Sequence, residues 1–357
     1  MSMDWHAVFP PIACFGLSAF VVWLSILYAH RRALYDQPGQ RRSHSAPTPR
    51  GGGIGIVVAA MAACAWVYDA TGDIGLLRVA IAVGIVAAAG WIDDHRGLGV
   101  VPRLAAHFFA AALLLSWYVN LPNSLSVWLG LLVALTACTW SINLHNFMDG
   151  INGLLAAQSV FVLGTFATLL GGVSAPASLF LLWGIAVLGF LPFNFPRARI
   201  FMGDVGSGTL GLMISAGVLW LAVLPSATGL ACGLIACSAF VTDATCTLLS
   251  RMLHGRRWYS AHREHLYQWL VRSGFSHARV VVLYMGWNLF VVAPVLYAVN
   301  RGAMARSPLS GFAWMLAVYA LAFATWIGSK RWCLQHAKNR TSRRYRMESL
   351  KRCARAT

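Results

Sequence analysis

Acidic side chains are scarce in this sequence. Asp and Glu number 11 among 357 residues, and charged residues of both signs reach only 11%, against about 25% in a typical soluble domain. That shortage excludes an ordinary water-solvated globular core. It fits a chain whose main solvent is lipid, where a spanning helix takes roughly 20 mostly apolar residues. Ligand-like cysteine spacing is missing as well. Cys14, Cys64, Cys138, Cys232, Cys237, Cys246, Cys333 and Cys353 form no CxxC pair, and six of the eight lie in apolar segments. They read as small hydrophobes, not as a zinc or disulfide framework. No compact basic domain precedes or follows the apolar segments, so the net charge of +17 does not point to nucleic acid. The first apolar run lacks a basic n-region and a convincing cleavage site, and is expected to be a spanning helix and not a removable leader.

What the sequence does have is apolar length. Hydrophobic residues make up 58%, and 15 Trp residues suit the membrane–water interface. Eleven spans are expected, near 8–29, 52–69, 75–92, 104–120, 125–142, 153–171, 177–193, 208–224, 227–249, 278–299 and 308–327. The expected architecture is therefore all-α and polytopic. Residues 1–329 form one transmembrane catalytic domain, and 330–357 form a basic tail. Eleven crossings put the termini on opposite sides. Twenty-five of the Lys and Arg residues then share one side with the tail, and only Arg78, Arg301 and Arg306 lie on the other. The positive-inside bias makes the rich side cytoplasmic and the N-terminus external.

Polar residues of unusual type cluster on that same side. Trp91-Ile92-Asp93-Asp94 closes the third span, and two adjacent carboxylates repel unless a cation offsets them. Arg103 follows ten residues on, then His107. After the fifth span comes Asn143-Leu144-His145-Asn146-Phe147-Met148-Asp149-Gly150-Ile151-Asn152-Gly153, whose amide and carboxylate oxygens suit a nucleotide or a hard cation. Asn194 and Pro196-Arg197-Ala198-Arg199 lead into Phe201-Met202-Gly203-Asp204-Val205-Gly206-Ser207-Gly208. Backbone N–H groups at that helix start are expected to favour an anion, and Asp204 to hold Mg²⁺. Arg50, before Gly51-Gly52-Gly53, is a second expected phosphate contact. His262 and His265 flank Arg263 in Tyr259-Ser260-Ala261-His262-Arg263-Glu264-His265-Leu266-Tyr267-Gln268. No further ligand stands at zinc spacing, so phosphate or sugar contact is the expectation there. Asp243, inside the ninth span, is an intramembrane carboxylate of open role.

In their order and side these motifs resemble the polyprenyl-phosphate N-acetylhexosamine-1-phosphate transferases, over residues 36 to 268. The resemblance rests on SHSAPTPRGGG, the Asp93–Asp94 pair with Leu98 and Arg103, NLHNFMDGING, NFPRARIFMGDVGSG and HREHLYQ. His107 stands where many relatives have Gln. The likeness implies transfer of a sugar-1-phosphate from a UDP-N-acetylhexosamine to undecaprenyl phosphate at the cytoplasmic face of a bacterial inner membrane. It also implies Mg²⁺, with Mn²⁺ as a substitute. Asp93, Asp94, Asp149 and Asp204 would be central, with Asp149 and Asp204 at the metal. Arg50, Arg103, Asn143, Asn146, Asn152, Asn194, Gly206, Ser207, His262, Arg263 and His265 would contact substrate. HREHLYQ places the chain nearest the branch that initiates O-antigen, and a homodimer is compatible with it. A transporter is the main alternative, but it would need more ionisable groups near the midplane than Asp243 alone.

Overall fold

The computed structural model describes residues 5–37, 47–118, 124–171, 174–224, 226, 228–256, 262–301 and 308–356. The part of the first motif at Ser43, His44, Ser45 and Ala46, and Tyr259 to Ala261 of the last one, lie outside the described residues. Helix dominates because backbone N–H and C=O groups in hydrocarbon must pair within their own segment. The helices are α1 (Trp5–Arg32), α2 (Ile54–Thr71), α3 (Gly75–Arg96), α4 (Val100–Tyr118), α5 (Leu125–Phe147), α6 (Leu154–Leu169) and α7 (Ala175–Asn194). They continue with α8 (Asp204–Val223), α9 (Gly229–Ala236), α10 (Ser238–Leu253), α11 (Leu266–Arg272), α12 (His277–Trp287), α13 (Ala293–Arg301) and α14 (Pro308–Ala356). A π turn, Asn288–Val292, joins α12 to α13.

Each of the eleven expected apolar segments becomes helix, but they are not equal. Eight helices among the described residues are long and apolar enough to cross a membrane alone. The ninth candidate is the pair α9 and α10, which bends by 69° at Cys237. The remaining two, in α4 and α6, are shorter apolar helices. The boundary expected at residue 330 falls inside α14, which runs unbroken to Ala356. Cys333 on it is fully buried, and Trp332 meets Phe275 edge-on at 5.9 Å.

Helix α8 is the hub. Its apolar window is 78% buried, against 11% for α5, so α8 faces protein where α5 faces mostly outward. Close backbone approach makes this possible. A Cβ on Gly90 would lie 2.5 Å from the backbone of Asp204, and one on Gly206 would strike Gly53 and Met202. Small residues at helix crossings act this way where lipid supplies no hydrophobic drive between helices. The Gly90 contact brings the end of α3 against the start of α8, which sets Asp93 and Asp94 beside Asp204. Polar ties reinforce the packing: Ser18 Oγ donates to the Ala186 carbonyl at 2.7 Å, and the Trp183 indole to Ala60 at 3.2 Å.

One short piece of sheet interrupts the helices. Strand β1 (Tyr35–Asp36) pairs antiparallel with β2 (Thr48–Pro49), Tyr35 opposite Pro49 and Asp36 opposite Thr48. The strip extends sideways, because Phe201 N donates to Pro49 O at 2.8 Å, Gly52 N to Phe201 O at 2.9 Å and Gly53 N to Met202 O at 2.8 Å. The loop between α1 and α2 is thereby tied to the segment that enters α8.

Candidate active site

A cleft of about 240 Å³ opens at the end of the bundle where α3 and α5 finish and α2 and α8 begin. Arg50, Asp94, Asp149, Asn152, Asn194 and Asp204 of the expected residues line it. Asp36, Gln268 and His277 line it too; Gln268 closes the histidine motif without being an expected contact, and Asp36 and His277 belong to no motif. Asp36 had one available signal, as the only acid between His30 and Gly51 in a loop with five arginines.

Two arginines organise the carboxylates. Arg103 Nη1 stands 2.8 Å from Asp93 Oδ2 and 3.4 Å from Asp204 Oδ2, bridging the ends of α3 and α8. Arg50 donates to the carbonyls of Asp93 and Asp94, and its Nε lies 3.7 Å from Asp94 Oδ1. Asp93 also accepts the Leu98 amide, at 2.5 Å, on its other oxygen. Each of its oxygens thus carries one bond, so Asp93 anchors Arg103 and keeps a further acceptor site on each oxygen.

Asp94 corrects the expectation about α8. Its carboxylate accepts the amides of Asp204 at 3.1 Å and Val205 at 3.2 Å. The next two amides, Gly206 and Ser207, donate to Gly203 O. An aspartate from α3 thus fills the anion position at the helix start, where a carboxylate is favoured by the dipole. A substrate phosphate finds no free amide there. Gly206 packs against Gly53, and Ser207 is 1% exposed and accepts from Asn146 Nδ2 at 3.2 Å. Neither lines the cleft; they support its wall. Gly203, at φ +77°, passes so close to Asp94 that a side chain there would meet the carboxylate at 2.5 Å.

The amides of the second motif divide in the same way. Asn143 Nδ2 turns back to Thr139 O on its own helix, at 2.8 Å. Asn194 is buried, receives the Gly153 amide at 2.7 Å and donates to Ile200 O at 3.0 Å. It thus joins the start of α6 to the approach of α8 and holds the cleft in shape. Asn152 N donates to His277 Nδ1 at 3.3 Å.

The histidine loop lies behind the cleft and not in it. His265 is buried and stacks on Phe147 at 6.0 Å and on Tyr267 at 5.9 Å, and His262 and His265 are 4.9 Å apart. Burial, then the neighbouring His265 and Arg251, holds the His262 imidazole at about 4; burial lowers His265 also. Neutral rings at pH 7 offer no positive charge to a phosphate. His262, Arg263 and His265 do not line the cleft in this structure, where Gln268 of the same motif does.

Charge in the cleft is unbalanced. Four aspartates, Asp36, Asp94, Asp149 and Asp204, line it with Arg50, and the Asp93–Arg103 pair adjoins Asp204. Burial, with Asp204 and Asp94 adding repulsion, pushes the half-buried Asp149 carboxyl well above the ordinary carboxylate range. A divalent cation would relieve that repulsion. No cluster of three or more His, Cys, Asp or Glu among the described residues is arranged to hold a metal ion. Asp149 and Asp204 still fit Mg²⁺, which commonly takes one or two carboxylates and completes its shell with water and substrate phosphates.

An aspartate-lined cleft in a polytopic helical bundle marks a membrane protein with a charged site at the end of its bundle. The model of glycosyl transferase family 4 matches residues 76–222, the stretch from α3 to α8. The chain is 32% identical over 326 residues to the decaprenyl-phosphate N-acetylglucosaminephosphotransferase of Mycolicibacterium smegmatis, covering 77% of this chain and 79% of that one. It is 28% identical over 277 residues to a probable undecaprenyl-phosphate N-acetylglucosaminyl 1-phosphate transferase of Bacillus subtilis, covering 73% and 76%. With the phospho-N-acetylmuramoyl-pentapeptide-transferase of Shouchella clausii it shares 27% over 315 residues, 79% and 94% of the two chains. The chain belongs to glycosyl transferase family 4 and is a polyprenyl-phosphate sugar-1-phosphate transferase.

Proposed function

We propose that the enzyme transfers N-acetylglucosamine-1-phosphate, or a closely related N-acetylhexosamine-1-phosphate, from its UDP-sugar to undecaprenyl phosphate. The product would start an O-antigen or related cell-envelope polysaccharide. The carrying observation is the convergence of Asp149 and Asp204 with Arg50 and Arg103 at one end of the bundle. Relatives named for decaprenyl- and undecaprenyl-phosphate N-acetylglucosamine transfer support the transferred group and a polyprenyl-phosphate acceptor. The basic loops at the cleft end support a cytoplasmic site in a bacterial inner membrane, where a nucleotide sugar is available, with the N-terminus on the periplasmic side.

An oxygen of the lipid phosphate attacks the β-phosphorus of the UDP-sugar, the bond to the α-phosphate oxygen breaks, and UMP leaves. A phosphate monoester has a second pKa near 6, so most of this nucleophile is already a dianion at pH 7. A general base is then of little value. The harder task is to bring anions together, and positioning and charge stabilisation accomplish it. Arg103, fixed between Asp93 and Asp204, and Arg50, fixed on Asp94, present their guanidinium groups with little left to reorganise. Mg²⁺ or Mn²⁺ at Asp204 and Asp149 would supply neutralisation of the diphosphate when bound.

The test is purified enzyme with undecaprenyl phosphate, Mg²⁺ and a panel of UDP-N-acetylhexosamines, the lipid product being identified by mass. UDP-N-acetylglucosamine is expected to turn over. Transfer of N-acetylmuramoyl-pentapeptide phosphate instead would overturn the assignment of donor. A stoichiometric release of UMP from delipidated enzyme and UDP-sugar alone would refute direct attack in favour of a covalent aspartyl intermediate.

A further inference from the structure

Asp243 has no place in the chemistry above, although it is the one acid inside the α9–α10 pair. It is 2% exposed and lies on α10. A buried carboxylate at membrane depth persists only where its lone pairs are satisfied. Here five donors converge on it. Oδ1 accepts the Leu266 amide at 2.7 Å, the Trp326 indole at 3.2 Å and the Thr247 hydroxyl at 3.3 Å. Oδ2 accepts the Tyr284 hydroxyl at 2.6 Å and the Tyr267 amide at 3.3 Å. The donors come from α10, α11, α12 and α14, so one carboxylate ties together four helices. Asp243 also borders an apolar cavity of about 330 Å³ among these helices, but every donor bonded to it is neutral and both of its oxygens are engaged in this network.

The two amide bonds give the arrangement a direction. They hold the start of α11, which among the described residues is the segment of the histidine motif that reaches the cleft, through Gln268. From there Tyr267 Oη donates to the Phe147 carbonyl at 2.9 Å, at the end of α5. The same phenol lies directly against Gly150, where no side chain would fit. Gln268 Nε2 donates to Tyr267 Oη at 3.0 Å, and Gln268 lines the cleft. Phe147 and Gly150 bracket Asp149. A continuous set of bonds therefore runs from Asp243 through α11 and Tyr267 to the turn that carries Asp149.

We infer that Asp243 is a positioning residue for the transfer reaction, acting through α11 and Tyr267 to set the turn that holds Asp149. It touches neither substrate nor metal. Its role deepens the transferase reading and depends on it for its kinetic consequence, while the mechanical coupling can be read without substrate. An Asn at this position keeps the shape but turns an amide NH₂ toward donors, so one set of bonds fails whichever way it flips.

The experiment compares Asp243→Asn, Tyr267→Phe and the double variant in detergent or nanodiscs. Hydrogen exchange of the apo protein reads the coupling: exchange at 147–153 and at 266–268 is expected to quicken in Asp243→Asn, and at 147–153 in Tyr267→Phe. Kinetics read the consequence. The kcat of each single variant should fall about 10- to 100-fold, as for a misplaced reacting group, with the KM for the lipid acceptor unchanged. The double variant should be no worse than the poorer single one, because both act on one link. Wild-type kcat in Tyr267→Phe, multiplying losses in the double variant, or unchanged exchange at 147–153 would each overturn the inference. Should Asp243→Asn fail to fold, Tyr267→Phe alone decides, since it leaves Asp243 and all five donors in place. Wild-type enzyme that shows no sugar-phosphate transfer would refute the transferase reading and leave the exchange result standing.

Discussion

Asp204 and Asp243 are both acids set among apolar helices, and their surroundings are opposite. Asp243 accepts five neutral donors. Asp204 lies in a cleft crowded with other carboxylates, and its ion pair in the structure is a 3.4 Å contact to Arg103, whose nearer partner is Asp93. Saturation marks a carboxylate that holds architecture. Unrelieved repulsion marks one that awaits a positive charge from outside the chain. The difference teaches that depth in a membrane protein does not by itself identify a catalytic acid; the donor inventory does.

The comparison breaks first at Asp204. Asp204→Asn should lower kcat by about 10²- to 10³-fold, the scale for removing a preorganised electrostatic group, with an unchanged melting temperature. Activity equal to wild type at saturating and at limiting Mg²⁺ would remove Asp204 from the metal. Next is Arg103→Lys. A lysine keeps the charge but cannot span Asp93 and Asp204 with a planar fork, and a roughly tenfold or greater loss of kcat/KM is expected. A third effect concerns stability and not chemistry. Gly206→Ala forces a methyl into the Gly53 backbone, which should cost about 1–3 kcal/mol as overpacking, read as a lowered melting temperature. If Gly206 instead contacts substrate, KM would move while the melting temperature stayed.

The smallest expected effect is on the histidine loop. A group whose folded pKa is depressed lends stability that is present above its unfolded value and lost as pH falls toward the folded one. For His262 that window runs from 6.5 down to about 4. The melting temperature should therefore decline across it, and His262→Gln should flatten the decline. An unchanged slope would mean that His262 is already solvated.

Much of the frame was legible because lipid imposes a simple code. Eleven apolar runs predict eleven helical segments, and the polar residues at their ends predict where the cleft opens. The 69° bend between α9 and α10 was not legible, since Ala236-Cys237-Ser238 contains neither Pro nor Gly to announce it. Asp149, Asp204, Arg50 and Arg103 could be singled out because charge at a helix end needs a reason. Asp36 is the lone acid of its loop and Gln268 stands in HREHLYQ, yet neither signal says that the residue faces the cleft; with His277 they become neighbours only through the path of the chain. Gly206 and Ser207 misled for a physical reason. A helix start looks like an anion site in sequence, but Asp94, 110 residues away, already occupies it.

Helix α14 has a practical consequence. Its 49 residues span about 74 Å at 1.5 Å per residue, well over twice a hydrocarbon core of about 30 Å. Cys333 and Trp332 seat it against the body on the side of α11. Cutting at Lys330 would remove that seat, whereas cutting after Ala337 should preserve activity. The seated stretch, up to Ala337, also offers a mount. A helical fusion partner spliced in phase onto it would turn with the enzyme, giving a small membrane protein an external landmark by which single particles can be aligned in electron micrographs.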